Sequence, residues 1–228
     1  MNLPQTLHGQ LYLLAYDRKR GRFDGENIPL FGRALRAAML TDLYLMGYIE
    51  DEDGRAHRLS VAAPDDSVLS AVCIQIGSVF SGGRDWVRLI AQDEEQAPAI
   101  VRDQLEATWL RAHRPMLGIT PTVRFRPSDE EAVSGLTEQV TEALRNAIDG
   151  READPRPLAV GLLGVLGQMP TVFSFKESAQ HREQIRELIF ATIAPIVALQ
   201  QAIEAYYEDW RTSNVRSRWW SSNRLMWS

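Results

Sequence analysis

The side chains able to do chemistry in this chain are few and scattered. Its four histidines, His8, His57, His113 and His181, stand far apart, and none pairs with another at metal-ligand spacing. Cys73 is the single cysteine, which excludes an intrachain disulfide and argues against a structural zinc site. Gly161, Gly164 and Gly167 recur at three-residue steps, but no strand precedes them and no lysine follows. They read as small residues for close helix packing, not as a phosphate loop. Asp51-Glu52-Asp53 reads as solvated charge at a hairpin turn, and there is no Gly-x-Ser-x-Gly elbow. These residues point to no catalytic group, no metal ligand and no cofactor.

Two features remain. Arg33 and Arg36 are three apart at the start of an otherwise apolar helical stretch, so both guanidiniums leave it on one face. Such a pair serves either as structural ion-pair partners and surface charge or as donors to a bound anion. The second feature is the carboxy-terminal stretch, in which Trp219, Trp220 and Trp227 alternate with Arg216, Arg218 and Arg224. Indoles favour the headgroup zone of a bilayer and arginines its anionic lipids, so this tail reads as an interfacial anchor. The other reading is a terminus that packs its tryptophans on the domain or on a partner.

Charge and composition narrow the classes. The 228 residues are 45% hydrophobic and 24% charged, as in an ordinary soluble protein with a substantial core. The net charge of −5 argues against general nucleic-acid binding, which needs a dominant basic face. That charge is uneven: residues 211–228 carry four arginines and no acid, leaving −9 on the rest. No amino-terminal signal pattern and no apolar run of membrane-spanning length is visible, which makes a cytoplasmic setting the expectation and any membrane contact peripheral.

The elements that must position these groups are mainly helical. Residues 3–16 predict a helix, and DRKRGRFDGEN a polar connection. Leu35, Ala38, Met39, Leu43 and Met46 hold helical spacing, with Leu40 and Leu45 on the other sides, so residues 31–47 predict a buried central helix ending at a left-handed Gly47. Asp53-Gly54 predicts a hairpin turn. A helix capped by Asp66 or Ser67 follows, with Val68, Val72, Ile76 and Phe80 on one face, then a short piece around Trp86. Pro98 opens the next helix, with Val101, Leu105 and Trp109 buried. Alternation at Val123 and Phe125 predicts a second hairpin, with Thr120-Pro121 near its turn. Ser128 and Glu131 form a capping box for a helix to Ile148. READPRP links to a buried helix over Leu158–Leu166, and a long helical pattern from Glu177 to Trp210 should kink or split at Pro195. The expected fold is a single, mainly α globular domain (residues 1–210) around a buried central helix, with two short β-hairpins, followed by a basic, tryptophan-rich tail (211–228).

Within the central helix, Leu35-Arg36, Met39-Leu40, Asp42-Leu43-Tyr44-Leu45, Gly47 and Ile49 resemble the signature helix of the Golgi phosphoprotein 3 family. Weaker likenesses keep the family's order: Pro64 to Leu69, Asp85-Trp86, Val101-Arg102-Asp103 with Leu105, and Asp154-Pro155-Arg156. The sequence opens without the amino-terminal extension of the eukaryotic members, so a short bacterial relative of the family is the expectation. The resemblance implies a mainly helical, non-enzymatic, peripheral membrane protein. Eukaryotic members bind phosphatidylinositol 4-phosphate and hold glycosyltransferases in the Golgi.

The family's headgroup pocket uses a tryptophan before the central helix, the arginine of its Leu-Arg pair, and two arginines three apart on a later helix. Arg36 matches the first arginine and Arg102 the second of the later pair. The first of that pair falls on Ala99, the tryptophan falls near Asn27, and Arg33 is placed to compensate from the face of Arg36. Losing one charge-assisted donor weakens a phosphate site by about tenfold to more than a hundredfold. The expected partner is therefore an anionic phospholipid or phosphoinositide bound through Arg36, Arg102 and Arg33, with the tail at the membrane interface or on a membrane-associated protein. The contrasting expectation is a soluble interaction or scaffolding protein whose tail engages a partner and which binds no lipid. The oligomeric state stays open, because the second hairpin is shorter than the one with which family members associate.

Overall fold

The computed structural model describes residues 3–23, 30–80, 82–113 and 124–213. The predicted tail residues Trp219, Trp220, Trp227, Arg216, Arg218 and Arg224 lie outside them, as do Asn27 and the Thr120-Pro121 turn. In chain order the elements are α1 (Leu7–Leu14), β1 (Tyr16–Asp17), β2 (Arg22–Phe23), α2 (Phe31–Leu45), β3 (Ile49–Glu52), β4 (Arg55–Arg58), α3 (Ser67–Ile76), β5 (Arg84–Asp85), α4 (Trp86–Ala91), α5 (Ala97–Glu106), β6 (Leu110–His113), β7 (Arg124–Pro127), α6 (Glu130–Ile148), α7 (Pro155–Leu166), α8 (Phe175–Gln180), α9 (Arg182–Phe190) and α10 (Ala194–Ser213). The fold is mainly α with small antiparallel sheets, as the sequence predicts.

Helix α2 is the centre. It packs against α1, α3, α4, α5, α7 and α10, and every residue from Ala34 to Leu43 is buried. An apolar surface on all sides is what such a position demands. The helix stops where expected, with Gly47 at φ 73°. Asp53 and Gly54 then take φ 51° and 74°, the left-handed pair that a tight hairpin turn requires.

The glycine series on α7 is structural. A Cβ on Gly167 would stand 2.9 Å from Ala34 Cβ of α2, and one on Gly164 would stand 2.9 Å from Val172 Cγ2. Only hydrogen at these positions lets the backbones approach.

Several boundaries differ from the sequence expectation. The first helix spans only Leu7–Leu14, and the polar connection after it forms the hairpin β1–β2, so there are three small sheets among the described residues rather than two hairpins. Strand β5 adds a third strand to the central hairpin. Gly77, at φ 107°, ends α3 before Phe80, which is 94% exposed rather than buried. Helix α5 ends at Glu106, leaving half-buried Trp109 to lead into β6.

Ser128 does not cap α6. Its neighbour Asp129 accepts from Ala132 N at 2.9 Å, while Ser128 N donates to Trp109 O across the second hairpin. The long carboxy-terminal pattern splits into α8, α9 and α10, with Pro195 in the first turn of α10, where its missing N–H leaves no bond unmade. That last helix runs past residue 210 to Ser213.

A capping box does form at Ser174 and Glu177, each side chain bonding the other's backbone. The Ser174 hydroxyl, Arg145 and Ser174 N hold the Glu177 carboxyl below the usual range. A depressed acid stabilises the fold above its unfolded value, about 4.3, and that contribution disappears as pH falls through the lower folded value. Glu177→Gln is therefore expected to flatten acid unfolding in this window, and denaturant midpoints of the two proteins at descending pH check it. Parallel curves would contradict it.

Candidate functional site

The sequence places two arginines on one face of α2, and the structure shows what that face meets. Arg36 is 3% exposed. Its Nε and Nη2 donate to Leu89 O at 3.3 and 3.0 Å, and Nη2 also donates to Gln75 Oε1 at 2.7 Å. Leu89 lies in the last turn of the six-residue α4, whose final carbonyls have no helical partner. Arg36 thus serves as a tertiary cap for α4. Burial pushes its guanidinium pKa down, and the nearby Asp93 carboxylate opposes that shift. Gln75 joins the two by donating to Asp93 Oδ2 at 2.8 Å.

Arg33 reaches the same turn. Its Nε and Nη2 clamp the Glu94 carboxylate as a bidentate fork, with Nη2 to Oε1 at 3.0 Å. Nη1 donates to Ala202 O at 3.0 Å, and the guanidinium lies 4.4 Å from the Tyr206 ring centroid. Arg33 and Arg36 do leave α2 together, but Arg36 closes on Leu89 of α4 and Gln75 of α3, and Arg33 on Glu94 in the α4–α5 turn and on Ala202 of α10. The acidic run Asp93-Glu94-Glu95 was the sequence signal for this pairing.

Arg102 sits elsewhere. It projects from α5 and stacks 5.4 Å from the Phe125 ring centroid on β7, with Nε and Nη2 donating to Asp103 Oδ1 at 3.1 and 2.9 Å. Its side chain is 27% exposed and that of Asp103 65%. An ion pair this exposed contributes little to stability. The structure therefore gathers Arg33 and Arg36 at the α4–α5 turn and puts Arg102 beside the second hairpin.

The acid of the signature helix has a different role from its arginines. Asp42 is fully buried; its Oδ2 accepts from Leu7 N at 2.6 Å and its Oδ1 from Arg156 Nη2 at 3.0 Å. Leu7 opens α1, whose N-cap Thr6 makes no side-chain capping bond, so Asp42 supplies that cap from another helix. His8 Nδ1 lies 3.5 Å from Asp42 Oδ2, while His8 Nε2 bonds Gln104 Oε1 at 2.9 Å and Gln104 Nε2 donates to Asp66 Oδ2 at 2.7 Å. This chain of polar contacts ties α1, α2, α5 and the start of α3.

A family comparison joins these positions. The family model of Golgi phosphoprotein 3 (GPP34) matches residues 7–206. The chain belongs to the Golgi phosphoprotein 3 family. No curated protein matches it significantly. The match takes in α1 and most of α10, so the helices that grip α2 are part of what defines this family member.

Sequence reasoning missed the other arginine groups of this family member. Arg55, Arg84 and Arg88 line a cleft of about 330 Å³ with Asp85, Leu89 and Gln92, because β5 brings a distant segment beside β4. Arg111, Arg124 and Arg126 are exposed on β6 and β7. Cys73 is buried, and burial pushes its thiol up, away from the reactive thiolate. Among the described residues no group of three or more His, Cys, Asp or Glu is placed to hold a metal, and no helix is long and apolar enough to cross a membrane.

Proposed function

We propose that this member of the Golgi phosphoprotein 3 family is a non-enzymatic peripheral membrane protein that docks reversibly, from the cytoplasmic side, on anionic phospholipid headgroups. The observation that carries the reading is the family match over residues 7–206, whose resemblance implies phosphoinositide binding. Arg102 is the headgroup arginine in this reading, since its guanidinium is partly exposed and its carboxylate partner Asp103 is well solvated. Arg36 and Arg33 act behind it by holding the α4–α5 turn. Either would enter a headgroup site only by leaving Leu89 O and Gln75, or Glu94. The tail arginines Arg216, Arg218 and Arg224 and tryptophans Trp219, Trp220 and Trp227 add a second, interfacial attachment, consistent with the two signals that stable anchoring takes.

Co-sedimentation with vesicles of phosphatidylcholine alone, with added phosphatidylserine, and with added phosphatidylinositol 4-phosphate tests this reading. The expected result is binding to the anionic vesicles, weakened about fivefold or more by Arg102→Ala, on the scale of one basic group near an anionic surface. Deleting residues 214–228 is expected to weaken binding to every anionic vesicle. Absence of binding to all three at physiological salt, with specific recovery of one partner protein, would favour the soluble scaffolding function instead. The nearly fully exposed Phe80 is a contact that such a partner could use.

A further inference from the structure

We infer that the two adjoining hairpins β1–β2 and β6–β7 form the face that lies on the anionic bilayer, an inference that rests on the membrane-docking function proposed above. Residues 16–23 and the strands β6 and β7 carry seven basic side chains, Arg18, Lys19, Arg20, Arg22, Arg111, Arg124 and Arg126, against one acid, Asp17. All seven are exposed. The chain as a whole is −5, so this concentration of positive charge stands against an acidic remainder.

Geometry makes one surface of the two hairpins. Strand β2 packs beside β7, and Arg126 Nη2 lies 3.5 Å from where a Cβ on Gly21 would stand, in the β1–β2 turn. Arg111 pairs directly across from Arg126, and His113 across from Arg124. Arg124 and Arg126 are two apart and so share a face, and Phe125 between them stacks against Arg102. Like charges set directly opposite in a ladder destabilise it. The acids beside the face are committed locally. Asp17 Oδ1 accepts from Lys19 N and Arg20 N at 2.8 and 3.2 Å, Glu130 from Tyr16 Oη at 2.8 Å, and Asp129 from Ala132 N at 2.9 Å. Folding alone has no use for an arginine ladder, whereas a sheet of lipid phosphates neutralises it.

A bilayer fits better than a polynucleotide. Bases need exposed aromatic faces to stack on. Here Tyr16 is buried, Phe23 packs on Tyr12 and Tyr16, and Phe125 lies against Arg102. A planar surface also meets one side of the molecule only. Acids more than a screening length of about 8–10 Å from that surface then repel it only weakly.

The test is equilibrium binding of the full chain to vesicles of phosphatidylcholine with and without phosphatidylglycerol. The variant Arg111→Gln/Arg124→Gln/Arg126→Gln is compared with a charge-matched control, Arg84→Gln/Arg88→Gln/Arg151→Gln. The hairpin variant is expected to lose about fivefold for each arginine, about a hundredfold in all, while the control loses much less. It is also expected to melt no lower than wild type, since it removes a like-charge pair. Wild-type affinity in the hairpin variant would overturn this inference and leave membrane docking by other residues standing. Equal losses in both variants would also overturn it, because only net charge would then matter. If wild type bound neither vesicle, the proposed function itself would fall, and this inference with it. Tight binding of single-stranded RNA by a chain that ignores vesicles would have the same effect.

Discussion

Asp42→Ala is expected to destabilise the domain by about 3–5 kcal/mol, the range for removing one partner from a buried ion pair. Three groups lose an acceptor or counter-charge at once: Leu7 N, Arg156 and His8. The Arg156 side chain is 39% exposed and can turn to water. Leu7 N cannot, because Leu7 is fully buried and Thr6 offers no substitute cap. The conservative change separates the parts. Asp42→Asn keeps an oxygen for Leu7 N and loses the charge, so it is expected to cost about 1.5–3 kcal/mol. Arg156→Ala removes only a half-exposed partner and should cost less than either. Urea unfolding of the three variants gives the order, and equal losses for Asp42→Asn and Asp42→Ala would mean that charge, not the cap on α1, is what matters.

Arg36→Met is expected to lower stability by about 3 kcal/mol, a fall of roughly 6–12 °C in melting temperature for a chain of this size, while the folded variant keeps its affinity for anionic vesicles. Methionine keeps much of the apolar stem but leaves Leu89 O and Gln75 Oε1 without their donor. Arg36→Lys should recover only part of the loss, since one ammonium on a flexible stem cannot reproduce the planar fork that bridges both oxygens. Melting curves and vesicle binding, measured on the same preparations, distinguish the roles. Unchanged melting with lost binding would make Arg36 a headgroup ligand rather than the cap of α4.

The scaffold is legible where local chemistry and tertiary demand agree. Helix α2 announces itself because all its sides are apolar, and Gly47 and Asp53-Gly54 occupy left-handed conformations they tolerate well. Pro195 divides the carboxy-terminal helices because it has no N–H to give. Elements of two residues, such as β1, β2 and β5, show no alternation and exist only through their neighbours. Phe80 sits at the right spacing for a buried face, but Gly77 ends the helix first.

For the site, the spacing of Arg33 and Arg36 gives their common face and not its contents. The acidic turn that meets them lies some sixty residues on, at Asp93 and Glu94. The basic face of the two hairpins was equally hidden, since residues a hundred apart meet there only when β2 packs beside β7.

Docking of a chain of net negative charge on an anionic bilayer requires localised basic surface. Its most direct measurement is the affinity of wild-type protein for phosphatidylcholine–phosphatidylglycerol vesicles as salt is raised, with phosphatidylcholine vesicles alongside. Binding to the mixed vesicles that weakens steadily with salt is expected, and none to the neutral ones. Equal affinity for both vesicles, or no binding to either at low salt, would contradict it.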